Sequence, residues 1–352
     1  MGRVFIKVVF LTYFFVVCGV VTTTFATPSL QLASTVWPPF TDIAGRDRIA
    51  IDIVKTALEE IGYRVDAHIL PNRELTEALQ EKIFDGSFAL WNSQKREEFL
   101  FYSRSYLENR LVLISRKENA LDVDDLSALT NKKIGIVAGY AYGPDLRKQL
   151  DLFLVEGADN NENLKKLLAG ELDGMIIDQV VAHTLIEHYP EKTRKLLHIG
   201  NKVLLTRTLH LTIQKSLPHA QEIIDRFNRQ LEILISSGKY NQILGFKWIL
   251  ADIDGDGVKE YILGQGYQAG KDAPQKTYDL FSLDLSHLDD PQDVDARATK
   301  DQQQGKNEEN VQFWIEGKKY EDWERIPEKY KRPEPKSRQE SEEIHFMMGI
   351  EF

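Results

Sequence analysis

Asp85–Tyr106, DGSFALWNSQKREEFLFYSRSY, is the stretch whose reading decides the fold. Phe88–Trp91 is an apolar run of the length of a buried strand. A polar loop, Asn92-Ser93-Gln94-Lys95, follows and ends on Arg96. An aromatic-rich run, Phe99–Tyr106, then leads into Leu111-Val112-Leu113-Ile114. An arginine at the mouth of a strand-loop-helix unit, beside hydroxyl and amide side chains, is a fork for a carboxylate, because guanidinium offers two parallel charge-assisted donors. The competing reading is a surface ion pair with Glu97 or Glu98, which contributes little.

Upstream, Leu30–Val36 reads as a strand that breaks at Trp37-Pro38-Pro39-Phe40. The prolines end the ladder and hold two aromatics at the strand's carboxyl end, where ligands bind in open α/β sheets. Ile49–Gly62 is predicted as a helix, with Ile49, Ile53, Ala57 and Ile61 in register and Gly62 as the stop. Val65–Leu70 returns as a strand, and Pro71-Asn72-Arg73 opens a short helix through Leu75 and Leu79. This alternation argues for a parallel α/β sheet.

Downstream the rhythm repeats. Lys133–Ala138 is predicted as a strand, Gly139–Pro144 as a turn feeding a helix over Asp145–Leu150, and Leu152–Val155 as a further strand. Asn161–Leu168 is a helix, Asp173–Asp178 a strand, and Val180–Tyr189 a helix. Lys202–Ile213 reads as one or two strands and Pro218–Ser236 as a long amphipathic helix closed by Gly238. Two α/β lobes joined by two strand crossings make a clamp with an interlobe cleft and a hinge.

The residues carry a resemblance along 30–247 to the family 3 periplasmic solute-binding proteins, the type that delivers polar amino acids to ABC importers. Its motifs here are Trp37-Pro38-Pro39-Phe40, Asp52, Pro71-Asn72-Arg73, Ser93-Gln94-Lys95-Arg96 with Tyr102-Ser103, Lys132–Ile136, Gly139–Tyr142, Leu168–Asp178, and Gly238-Lys239-Tyr240 closing on Phe246-Lys247-Trp248. The resemblance implies a two-lobed type II clamp with hinge strands, a binding protein without chemistry of its own. One lobe would comprise 27–113 and 209–247, the other 114–208. It also implies that Arg96 holds the ligand carboxylate with help from Ser93, and that Asp178 takes an ammonium group. Trp37, Phe40 and Trp91 would pack the ligand side chain. The backbone N–H groups of Tyr140, Ala141 and Tyr142 would face the same anion, as a helix start favours. Each has a plainer alternative: Trp37 and Trp91 as core aromatics, Asp178 as an N-cap. The sequence departs from the family at Ser93-Gln94-Lys95, where Thr-Pro-Glu is usual, at Arg104-Ser105, where Asp-Pro is usual, and at the bulky Trp91. An enzyme of dehydratase type on this scaffold would draw its acid or base from Asp178, Glu108 or His210.

The two ends differ from this body. Residues 1–26 carry Arg3 and Lys7, an apolar run over Val8–Val21 and small residues at Thr24-Phe25-Ala26, as a cleaved secretory signal does. Cys18, the only cysteine, lies within it, so the mature chain has no disulfide. Cleavage takes the formal charge from −10 to −12. An acidic, exported chain without disulfides fits a periplasm and excludes nucleic acid as a partner. The expected partners are a small polar ligand and an ABC permease or membrane sensor, and the expected state is a monomer. No cofactor is required.

After Trp248 the composition shifts. Asp252, Asp254, Asp256, Val258 (through its carbonyl) and Glu260 fall at positions 1, 3, 5, 7 and 9 of DIDGDGVKE. Oxygens so spaced suit Ca²⁺, which takes about six to eight. Position 12 is Leu263, not the glutamate of an EF-hand, and the segment resembles the calcium loops of FG-GAP and related β repeats. The alternative is an Asp/Gly turn without a metal. This gives a 248–270 hairpin and then a polar 271–352 tail, largely disordered, with a small hairpin at 311–326.

Overall fold

Alternation of apolar residues and the glycine stops sort the chain into the strands and helices that a computed structural model displays for residues 27–144, 146, 153–188, 195–253, 258–271, 273–274, 278–282 and 312–332. The signal-peptide reading of residues 1–26 lies outside these described residues.

The first lobe is built on β1 (Ser29–Thr35), β2 (Arg64–Leu70) and β3 (Gly86–Trp91), with β1 central and parallel to both neighbours. Helix α1 (Ile49–Glu60) buries Ala50, Ile51, Ile53, Val54, Ala57 and Leu58, a stripe at 3–4 residue spacing. Its chain then reverses at Gly62, whose φ of 93° suits glycine. Helix α2 (Asn72–Gln80) turns Leu75, Ala78 and Leu79 inward. A four-residue turn of helix, α3 (Gln94–Glu97), and the short β4 (Leu100–Tyr102) follow.

Two ten-residue strands, β5 (Leu107–Arg116) and β10 (Leu205–Gln214), join the lobes. They pair antiparallel from Leu107–Leu111 to Leu209–Leu205. Beyond that ribbon they diverge: β10 runs beside β3 and β4, while β5 runs beside β8 (Gly174–Asp178) and β9 (Leu197–Ile199). The change of partner falls at Leu111 and Leu209, beside the expected lobe limits. The second lobe adds β6 (Lys133–Val137), parallel to β8 and to β7 (Phe153–Gly157). Strand order is β2-β1-β3-β10-β5-β8-β6-β7. Where β10 bulges between His210 and Thr212, β3 comes so close that a Cβ on Gly86 would collide with the Thr212 carbonyl. Helices α4 (Asn160–Leu168) and α5 (Gln179–His188) belong to the second lobe; the first residues of α4 are capped by Asp159, which accepts from Glu162 N–H. The expected Asp145–Leu150 helix lies almost wholly outside the described residues.

The long helix α6 (Ala220–Ser236) buries Ile223, Ile224, Phe227, Leu231, Leu234 and Ile235 against α1 and β10. Helix α7 (Lys239–Leu244) follows the left-handed Gly238. Burying such a stripe is worth about 1.5–3 kcal/mol per large apolar side chain.

The acidic segment and the tail join into a second sheet. Strands β11 (Trp248–Asp252), β12 (Glu260–Leu263), β13 (Tyr278–Ser282), β14 (Phe313–Ile315) and β15 (Lys318–Tyr320) take the order β13-β11-β12-β14-β15. The β14–β15 hairpin turns at Glu316-Gly317, both with positive φ, as a tight hairpin needs. Strand β13 lies within the stretch expected to be disordered; most of the remainder of that stretch lies outside the described residues. Trp248, Phe313 and Trp323 pack as an aromatic core, with Ile326 buried behind them. This sheet is fastened to α6 and α7: Gln265 N–H donates to Gly238 O, Gly317 N–H to Ser236 O, and Asn241 Nδ2 to Ile262 O. No described helix is long and apolar enough to cross a membrane.

Candidate functional site

The break after β1 is a tight turn in which Trp37 N–H donates to Thr41 O and Phe40 N–H to Trp37 O. It sets the Trp37 and Phe40 rings 4.8 Å apart. Trp91 ends β3 in the same lobe, 5.6 Å from Trp37. From the other lobe, the loop after β6 brings Tyr140 within 5.4 Å of Trp37 and 5.2 Å of Trp91, and Tyr142 within 5.4 Å of Trp91. These edge and tilted contacts close the cleft. A cavity of about 40 Å³ remains, room for a few waters, so a larger solute enters only when these rings part.

Trp37, Trp91, Arg96, Tyr140 and Ala141 line this cavity. Phe40 lies behind Trp37 in the core, and Tyr142 turns its hydroxyl to accept from Val137 N–H. Ser93 begins α3 without a side-chain cap bond and is absent from the lining. Asn72, Leu75 and Thr76 of α2 complete one wall, a contribution that sequence reasoning missed although Pro71-Asn72-Arg73 was singled out.

Arg96 is 9% exposed. Its guanidinium donates to Thr76 Oγ1 at 3.1 Å and, across the cleft, to Gly139 O at 2.9 Å. Both acceptors are neutral, and no described carboxylate pairs with it. Burial pulls its pKa below the usual arginine value without discharging it. The loop after β6 therefore presents the Gly139 carbonyl to Arg96, and Tyr140 N–H donates to Val137 O. A second bond spans the lobes, Asn72 Nδ2 to Ala158 O at 2.9 Å. Beside Arg96, burial raises the Tyr102 phenol to about 12, against a small opposing pull from Arg96.

Asp178 ends β8 and is buried. Its Oδ1 accepts from Val180 N–H at 2.8 Å and Val181 N–H at 3.2 Å, which caps α5. Its Oδ2 accepts from Asn109 Nδ2 at 3.0 Å, and Asn109 Oδ1 accepts from Trp91 Nε1 at 2.7 Å. Burial pushes the carboxyl up to about 7, and these hydrogen bonds pull only part of the way back. Asn109 is a further residue that sequence reasoning missed. Its signal was the alternation Leu107, Asn109, Leu111, all buried on β5.

Glu108 and His210, the other two residues named for acid–base work, lie elsewhere. Burial lowers the His210 imidazole to about 4, so it is neutral; it bonds Ser103 O and Thr208 Oγ1. Glu108 pairs with Arg110. Neither lines the cavity.

In the acidic segment, Asp254 and Asp256 lie outside the described residues. Asp252 and Glu260 are buried, whereas Val258 is exposed. Glu260 accepts from Ile253 N–H and stands 3.1 Å from Lys319 Nζ. No group of three or more metal-ligating side chains occurs among the described residues.

Residues 35–251 match the bacterial extracellular solute-binding proteins, family 3, and the chain belongs to that family, whose members bind solutes and are not enzymes. Solved structures share the fold. Holo ArgBP from T. maritima is 18% identical, covering 61% of this chain and 94% of that one, with a TM-score of 0.51. AbpA from Streptococcus pneumoniae, an amino acid ABC transporter substrate-binding protein bound to L-arginine, is 18% identical over 61% and 92%, TM-score 0.52. The GluR0 ligand-binding core from Nostoc punctiforme, in complex with (L)-glutamate, is 19% identical over 61% and 96%, TM-score 0.50. At such identities the likeness is one of fold. A curated relative, the virulence sensor protein BvgS of Bordetella pertussis, is 28% identical over 117 residues, 33% of this chain. The match spans only 9% of that relative's length.

Proposed function

We propose that the protein binds a small polar solute, an amino acid or related carboxylate, between its lobes in the periplasm and delivers it to an ABC importer. The observation that carries this reading is Arg96: a buried guanidinium on the cavity wall, held only by neutral acceptors. A carboxylate entering the parted cleft replaces the Gly139 carbonyl with a charged partner, which guanidinium binds more strongly. Calorimetric titration with amino acids and small carboxylates tests it. Arg96→Ala is expected to weaken any carboxylate by about 2–5 kcal/mol, the usual cost of removing one partner of a buried charged pair. Unchanged affinity would refute the assignment.

A second reading, a sensory clamp that reports to a membrane partner, is favoured by the BvgS match and by the extra sheet on α6 and α7. Copurification with a membrane receptor and not with a permease would select it.

A further inference from the structure

The charges around the cavity narrow the solute, provided that Arg96 holds a carboxylate as proposed above. Among the described residues, Arg96 is the only charged side chain on the lining. The rest of the wall is aromatic, aliphatic or neutral polar, so the cavity carries a positive group and no negative one. Asp178, which the family resemblance would set against an ammonium, is off the lining. It lies two hydrogen bonds behind the wall, reached from Trp91 through Asn109. Both its oxygens are already occupied, one by the N–H groups that start α5 and one by Asn109. Burial also raises the carboxyl's pKa to about 7, so part of it is protonated at neutral pH.

An ammonium carried into this cleft would lose its water and find no carboxylate on the described lining to contact, which is costly in a closed site. A carboxylate loses its water and gains Arg96. An apolar body loses nothing by entering. When the lobes part, Trp37 and Trp91 give up the ring contacts they now make with Tyr140. A flat apolar ligand restores those contacts, whereas water does not.

We infer that the cleft selects a monocarboxylate with a flat, apolar body and no α-ammonium group, in preference to a zwitterionic amino acid. Three probes on one skeleton test this by calorimetry with the full chain: 3-phenylpropanoate, L-phenylalanine, which adds the α-ammonium, and 2-phenylethylamine, which lacks the carboxylate. The expected result is binding of 3-phenylpropanoate at least about tenfold tighter than L-phenylalanine, the least that an unpaired buried charge costs. The amine should show no measurable binding. Arg96→Gln should abolish binding of 3-phenylpropanoate, and Arg96→Lys, which keeps the charge without the fork, should leave an intermediate affinity. Equal or tighter binding of L-phenylalanine overturns the inference and leaves the carboxylate reading of Arg96 standing. Binding of the amine, indifference to Arg96→Gln, or no binding of either acid overturns both.

Discussion

Replacing Asp178 with asparagine should change how stability depends on pH, by an amount the structure fixes. The native carboxyl titrates at about 7 because it is buried, and an unfolded aspartate titrates at about 3.9. The native state therefore holds this proton more tightly than the unfolded chain does. Its contribution is fully present below about pH 4 and is lost as pH rises through about 7. Three pKa units correspond to about 4 kcal/mol. His210 acts in the opposite sense: its native pKa is about 4 against 6.5, so its contribution is lost as pH falls below about 6.5. The two nearly cancel in the parent protein between pH 4 and 6.5. Urea unfolding of parent and Asp178→Asn from pH 4 to 8 separates them. The stability of the variant relative to the parent should rise by about 4 kcal/mol across that range, whatever constant offset the lost contact with Asn109 adds. A difference independent of pH would refute the burial argument.

Trp91→Phe keeps a ring in the cleft but removes the donor to Asn109 Oδ1, leaving a buried acceptor unpaired; urea midpoints should report a loss of about 1–3 kcal/mol. Gly238→Ala puts a Cβ against the Leu263 carbonyl at a φ of 76°, so it should loosen the small sheet and cost about 1–3 kcal/mol. Limited proteolysis should then cut the β11–β12 region faster than in the parent. Trp248→Ala removes the centre of the small sheet's aromatic cluster and should cost about 3–5 kcal/mol in that unit, with solute affinity at Arg96 unaltered. A parallel loss of affinity would show that the small sheet supports the cleft.

The first lobe was legible because its signals are local: the Trp37-Pro38-Pro39-Phe40 break, the stripe of α1, and the glycine stops. Arg96 was legible for the same reason, as an arginine beside hydroxyl and amide side chains just after a buried strand. Asn109 was not, because Glu108 and Arg110 on either side made β5 look polar there, and its partner Asp178 is 69 residues away. The five-stranded sheet was hidden by the same kind of distance. Tyr261 pairs in parallel with Phe313 across about fifty residues, and nothing in either short strand names the other. The β14–β15 turn, by contrast, is written in Gly317. Ser93, Phe40 and Tyr142 were placed at the cleft by resemblance, and the packing puts them just behind or beside its wall.

The β5–β10 ribbon has a consequence for how such a protein can change. A two-stranded antiparallel ribbon can twist while its ladder between Leu107–Leu111 and Leu205–Leu209 stays whole. The balance between shut and parted lobes is then left to a few side chains: Arg96 on Gly139, Asn72 on Ala158, and the rings of Trp37, Trp91, Tyr140 and Tyr142. The rings also belong to, or pack against, the buried cluster that α1 and α6 share, whereas Arg96 and Asn72 do not. Substitution at Arg96 or Asn72 can therefore retune the resting position of the clamp, or reassign its solute, without removing a ring from the buried core.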